Sequence, residues 1–186
     1  MQGLLNSSVK NNSMFTKADI EKYFIAEKAE SLVFLAIGFA GIVLAVVFYF
    51  VLKTNFYKGA AIPLLLVGLL MGIIGFTIYK RSDDDRKRNV YAYDMNPGEL
   101  RNKELPRMET VMKNFVVIRY VEIALMVIGI FLFVYFKSDE TKVFWKGFGM
   151  ALAIMAVAAL SADYFAEKRG HVYLKGLKEF TAYMGS

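Results

Sequence analysis

Leu-Leu-Leu-Val-Gly-Leu-Leu-Met-Gly-Ile-Ile, residues Leu64 to Ile74, carries no charge and no polar–apolar alternation. A strand of a membrane barrel alternates with period two, and this run does not. In hydrocarbon an unpaired backbone amide is too costly to leave, so the segment must be a helix that satisfies its own peptide groups. It lies within a longer apolar stretch, Ala60 to Tyr79, and three others match that length: Ser31 to Leu52, Phe115 to Phe136, and Val143 to Phe165. At about 1.5 Å of rise per residue, each covers a hydrocarbon layer of roughly 30 Å. The expected fold class is all-α: a polytopic membrane protein with four transmembrane helices in a single membrane domain over residues 1–186. Pro63 is expected near the start of the second helix, where a missing amide does little harm.

Composition agrees. Hydrophobic residues make up 56% of the 186 and the mean hydropathy is +0.40, more than a soluble core of this size needs. There is no cysteine and one histidine, His171, so disulfides and thiolate or multi-histidine metal sites are excluded, and no cofactor is expected. The net charge of +6 is concentrated beside the apolar runs, where it sets orientation and meets anionic headgroups; nucleic acid is not the expected partner. Residues 1–13 are polar, so the first apolar run is read as retained and not as a signal peptide. Seventeen Lys and Arg fall in residues 1–30, 80–114 and 166–186, against five beside the two short connections, namely Lys53, Lys58, Lys137, Lys142 and Lys146. Basic flanks stay inside during insertion. Both termini and a long central loop are therefore expected on the cytoplasmic side, most simply of a plasma (inner) membrane. Aromatic residues such as Phe56, Tyr57, Phe144 and Trp145 mark the opposite interface.

The chain also resembles itself. A shift of 91 residues lays Ile20 on Val111, Phe24 on Phe115, Lys28 on Arg119 and Ile37-Gly38 on Ile128-Gly129; a shift of 88 lays Phe56-Tyr57-Lys58-Gly59 on Phe144-Trp145-Lys146-Gly147 and Lys80-Arg81 on Lys168-Arg169. This reads as two tandem helical hairpins, repeat 1 about 16–95 and repeat 2 about 106–181, with residues 1–15 a flexible tail. Each copy holds two spans, so both insert the same way up, and a pseudo-two-fold along the membrane normal should relate them. Thr16 and Asp19 resemble a capping box, which starts the first helix near Lys17, and Pro106 suits the first turn of another long helix. With a short amphipathic end using Val172, Leu174, Leu177 and Phe180, these extensions suit either a packed cytoplasmic collar or segments lying in the headgroup layer.

Few residues invite chemistry. Arg119 and Glu122, three apart on one helical face inside the third apolar run, are the leading intramembrane candidates and are expected to pair. Asp163, near the polar end of the fourth run, is expected to reach Arg119 across helices. Lys80, Arg81, Arg86, Lys87 and Arg88 are candidates for lipid headgroups or a partner. Asp83, Asp84 and Asp85 lack the spacing of a calcium loop and read as a solvated loop neutralised by those bases. Gly38, Gly68, Gly72 and Gly75 allow close helix packing, read as intramolecular. No nucleophile–base pair, phosphate loop or zinc motif occurs, so an enzyme is not expected. The function read from sequence is a non-catalytic membrane protein acting through another membrane protein or a second copy of itself, as accessory subunit, scaffold or neutraliser. The alternative is a small oligomeric transporter or channel with Glu122 in a polar cavity.

Overall fold

The computed structural model describes residues 15–183. Of the expected tail, residues 1–14 lie outside the described residues. Phe15 is no tail residue: it is buried, its ring 5.7 Å from Tyr173 and 5.8 Å from Phe180.

Four long helices account for nearly everything: α1 (Lys17–Val46, prolonged by a wide π-type segment Val47–Leu52), α2 (Asn55–Met95), α3 (Leu105–Tyr135) and α4 (Val143–Tyr183). All four are long and apolar enough to cross a membrane. Thr16 and Asp19 do form the capping box, with the Thr16 amide donating to Asp19 Oδ2 at 2.8 Å. The first short connection turns at Lys53, whose φ of 57° is left-handed, before Thr54 caps α2. The second is held by the Asp139 carboxylate, which accepts the Thr141 amide at 2.8 Å.

Three expectations need correcting. The long central loop is mostly helix: α2 runs on to Met95, and α3 is entered through short helical segments at Pro97–Glu99 and Leu100–Glu104. No glycine or proline interrupts residues 76–96, and Asp83–Arg86 (3.7 Å) and Asp85–Arg88 (2.7 Å) bridge successive turns, as i,i+3 pairs do in helices. Pro63 is not in the first turn, because Thr54 caps the helix nine residues earlier; it lies inside α2, fully buried. Finally, α4 passes Gly170 without a break, and its buried face is Tyr173, Leu174 and Leu177, while Val172 is exposed.

Packing follows the small residues. α1 lies along α2, α2 crosses α4, and α3 lies along α4; α1 also touches α4, whereas the α3 backbone has no extended contact with α1 or α2 among the described residues. A Cβ on Gly38 would meet Gly72 N at 2.6 Å and Gly68 O at 2.7 Å, and one on Gly129 would meet Ala153 N at 2.6 Å and Gly149 O at 2.8 Å. Only glycine lets backbones approach so closely. Where α2 crosses α4 the approach is reciprocal: Gly59 abuts the Phe144 carbonyl and Gly147 the Phe56 carbonyl.

The ends beyond the apolar segments form a collar. Ile20, Tyr23 and Phe24 of α1, Ala92 of α2, Leu100, Met108 and Met112 before and within α3, and Tyr173, Leu174 and Leu177 of α4 bury one another in a single cluster. The extensions thus pack together as a helical bundle.

Candidate functional site

The separation of α3 from α1 and α2 leaves space. A cavity of about 360 Å³ lies between all four helices, walled mostly by apolar side chains including Phe34, Leu70, Met71, Ile118, Leu125 and Leu152. Its polar groups gather toward the collar: Glu27, Glu30 and Ser31 from α1, Arg81 from α2, Asn114 and Glu122 from α3, and Asp163 and Arg169 from α4. On the collar side Tyr23 borders it, stacked on Tyr173 at 4.1 Å. Sideways, the lining residues Leu70 and Val117 are 58% and 62% exposed. The cavity therefore opens laterally between α2 and α3.

The expected Arg119–Glu122 pair does not form, and neither does Arg119–Asp163. Arg119 pairs with Glu167 of α4, and Glu122 and Asp163 lie beside each other at the cavity, neither with a base in ion-pair range among the described residues. Geometry explains the change. Helical side chains lean toward the N-terminus of their own helix, which for α3 is the collar end, and a long arginine extends further that way. Glu167 is one turn nearer the collar on antiparallel α4, so it receives the guanidinium. Glu122 is 7% exposed, and its Oε2 is buried without a hydrogen-bond donor.

The remaining bases are held in ion pairs. Arg81 meets Glu27 at 3.3 Å, and Glu27 also accepts the Ser82 hydroxyl at 3.0 Å. Arg169 pairs with Glu30 and lies over the Tyr23 ring at 5.5 Å. Among the other headgroup candidates, Lys80 and Lys87 are exposed, Arg86 pairs with Asp83, and Arg88 pairs with Asp85. The three aspartates are thus distributed around a helix and not gathered into a site. Among the described residues no cluster of three or more His, Asp or Glu is placed to hold a metal ion.

Two features were not singled out from sequence. Asp163, Glu167 and His171 follow one another at four-residue spacing along α4, with His171 Nε2 3.3 Å from Glu167 Oε1; with Arg119 and Glu122 they line a second, outer groove between α3 and α4. In the collar, Arg107 grips Glu104 through two hydrogen bonds of 2.6 and 2.8 Å, with Glu104 only 2% exposed. Burial works against the Arg107 charge, but the Glu104 hydrogen bonds, together with the nearby charge of Glu104 and the influence of Tyr23 and Glu27, outweigh it and hold the guanidinium above its ordinary range. Burial also pushes the Tyr23 and Tyr173 phenols well up. The sequence signal for Arg169 was present, since it aligns with Arg81 in the duplication.

Comparison with family models, with curated proteins and with solved structures finds no match to this chain. What fold and site define is a class: an all-helical bundle with four candidate membrane spans around a lateral cavity.

Proposed function

We propose that the chain is a multi-pass membrane protein that takes a small amphipathic molecule into the interhelical cavity, as a binding or transport protein and not an enzyme. The carrying observation is Glu122, a carboxyl buried among apolar walls with one oxygen lacking a donor and the cavity in front of it. Ionisable groups at such depth are costly and mark ligand or ion pathways. The proposed orientation has both termini and the collar in the cytoplasm of a cell whose inner membrane holds the helices; it is supported by the seventeen basic residues at that end against five at the other. The reciprocal approach of Gly59 to Phe144 and Gly147 to Phe56 favours two duplicated hairpins about an axis along the membrane normal.

The test is occupancy. Purified protein in lipid nanodiscs, analysed by native mass spectrometry, should carry a small molecule that Leu70→Trp with Val117→Trp excludes by blocking the lateral opening, while Val127→Trp on the exposed surface of α3 leaves it in place. An empty wild-type protein, or equal occupancy in all three, refutes the reading. Orientation is read separately: the chain lacks cysteine, so a membrane-impermeant maleimide on intact cells should label Thr141→Cys and spare Asp84→Cys.

A second reading is favoured by one observation. The most apolar window of α3 is 11% buried, against 28–39% for the other three helices, with Tyr120, Phe131 and Tyr135 exposed along it. That face suits coverage by another membrane protein or a second copy, the accessory role read from the sequence. Photo-crosslinking from Phe131 in the native membrane should then trap one discrete partner; trapping only lipid removes the reading.

A further inference from the structure

We propose that the occupant is a lipophilic monocation, entering sideways from the bilayer between α2 and α3, with the Glu122–Asp163 carboxyl pair as its counter-charge. This rests on the ligand-binding reading of the cavity and adds the chemical class of the ligand.

The charge inventory leads there. Six ionisable acids and bases face the cavity: Glu27 and Glu30 from α1, Arg81 from α2, Glu122 from α3, Asp163 and Arg169 from α4. Arg81 is matched by Glu27 and Arg169 by Glu30, while Arg119, beside Glu122 on its own helix, is matched by Glu167. Glu122 and Asp163 are left facing each other with no base between them. Two carboxyls in apolar surroundings demand a positive charge, supplied by a proton when the cavity is empty and by a cation when it is filled. The arginines do not reverse this sign, because each already carries its own carboxylate.

The walls decide which cation. A hard ion such as Na⁺, Mg²⁺ or Ca²⁺ needs six or so oxygen ligands to replace its water. Here the backbone carbonyls around the pair are tied up in helices, and no third acid or histidine completes a metal cluster among the described residues. Phe34, Met71, Ile118 and Leu125 instead offer apolar and aromatic surface, which suits a weakly hydrated organic cation. Access agrees with this: the collar side is bordered by the Tyr23–Tyr173 stack, and the open side, at Leu70 and Val117, faces where lipid would lie.

The experiment uses three probes of similar shape: tetraphenylphosphonium, its anionic counterpart tetraphenylborate, and neutral triphenylphosphine oxide. Each is equilibrated with the full-length protein in nanodiscs, and only binding abolished by Leu70→Trp with Val117→Trp is counted. The expected result is such binding for tetraphenylphosphonium alone, weakened about ten- to a hundredfold by Glu122→Gln, as loss of a nearby counter-charge in a poorly screened site implies, and partly regained in Glu122→Asp. The comparison of the three probes needs no substitution at the carboxyl pair, so it decides the sign of the ligand charge even where Glu122→Gln misfolds. Counted binding of the borate or the oxide equal to that of the phosphonium overturns the cation proposal and leaves the cavity a ligand site. No counted binding of any probe overturns it too, and occupancy by mass spectrometry then shows whether the broader reading also falls.

Discussion

Gly38→Ala and Gly72→Ala, both within the Gly38–Gly68–Gly72 contact of α1 with α2, should have opposite effects on stability. A Cβ at position 38 would lie 2.6 Å from Gly72 N, 2.7 Å from Gly68 O and 2.9 Å from Gly72 Cα, all of them backbone atoms that cannot rotate away. Restoring an ordinary separation of about 3.5 Å requires the two helices to part by about 1 Å. Overpacking of this kind costs about 1–3 kcal/mol, and three rigid backbone contacts place it in the upper half of that range, about 2–3 kcal/mol; replacing a helical glycine with alanine returns about 1 kcal/mol, so the net loss should be about 1–2 kcal/mol. At Gly72 a Cβ meets nothing within 4 Å. Only the helix-propensity gain remains there, and Gly72→Ala should be neutral or stabilising by up to about 1 kcal/mol. Reversible unfolding in mixed micelles with rising sodium dodecyl sulfate, followed by tryptophan fluorescence from Trp145, reads both. If Gly72→Ala destabilises as much as Gly38→Ala, or if Gly38→Ala is harmless, the packing argument is wrong.

Three further outcomes are expected. Arg107→Ala should lower collar stability by about 3–5 kcal/mol by stranding the buried Glu104 carboxylate, and Glu104→Leu with Arg107→Met should recover most of it in the same unfolding assay. In acid the collar should loosen: hydrogen bonds from Lys28 to Asp83 and from Lys178 to Glu109 hold those carboxyls below their ordinary values, so their contribution is present at neutral pH and lost as pH falls below about 4, read as faster amide exchange at pH 3 than at pH 6 in residues 80–95 and 105–112. Replacing Glu122→Ser and Asp163→Gly together should remove the counter-charge and lower cavity occupancy by native mass spectrometry while leaving the protein folded; undiminished occupancy counts against the carboxyl pair as the binding element.

The helices are legible because long uncharged apolar runs allow so few solutions. Runs such as Leu64–Ile74 offer one period and one backbone conformation, and Thr16 with Asp19 marks a helix start by local chemistry, whereas Pro106 marks none, because the backbone is already helical from Pro97. Polarity alone suggests a loop over the central segment, yet the Asp and Arg of residues 83–88 are spaced to bridge helical turns. At the site, the importance of Glu122 and Asp163 could be seen from their depth, but their partners could not. Spacing along α3 puts Arg119 within reach of Glu122; only the antiparallel register of α4 decides that Glu167 arrives opposite the guanidinium and Asp163 opposite the carboxyl. Register between helices depends on glycine contacts such as Gly129 with Gly149, and a single sequence does not display it.

The unpaired carboxyls beside the cavity lie in one half of the chain. Under the two shifts, Glu122 aligns with Ser31 and Asp163 with Gly75. In the first hairpin that pair closes the helices together: Ser31 is 1% exposed, its hydroxyl donates to the Lys28 carbonyl at 2.6 Å, and a Cβ on Gly75 would come within 2.8 Å of the Ser31 carbonyl. In the second hairpin two carboxyls occupy the same places, and carboxyls demand both room and a positive charge. These side chains put the uncompensated charge in the hairpin whose first helix has no extended contact with α1 or α2 among the described residues. One hairpin closed by Ser31 and Gly75, and another with two carboxyls at the matching places, is the division expected if the first serves as frame and the second supplies the counter-charge for a ligand held between all four helices.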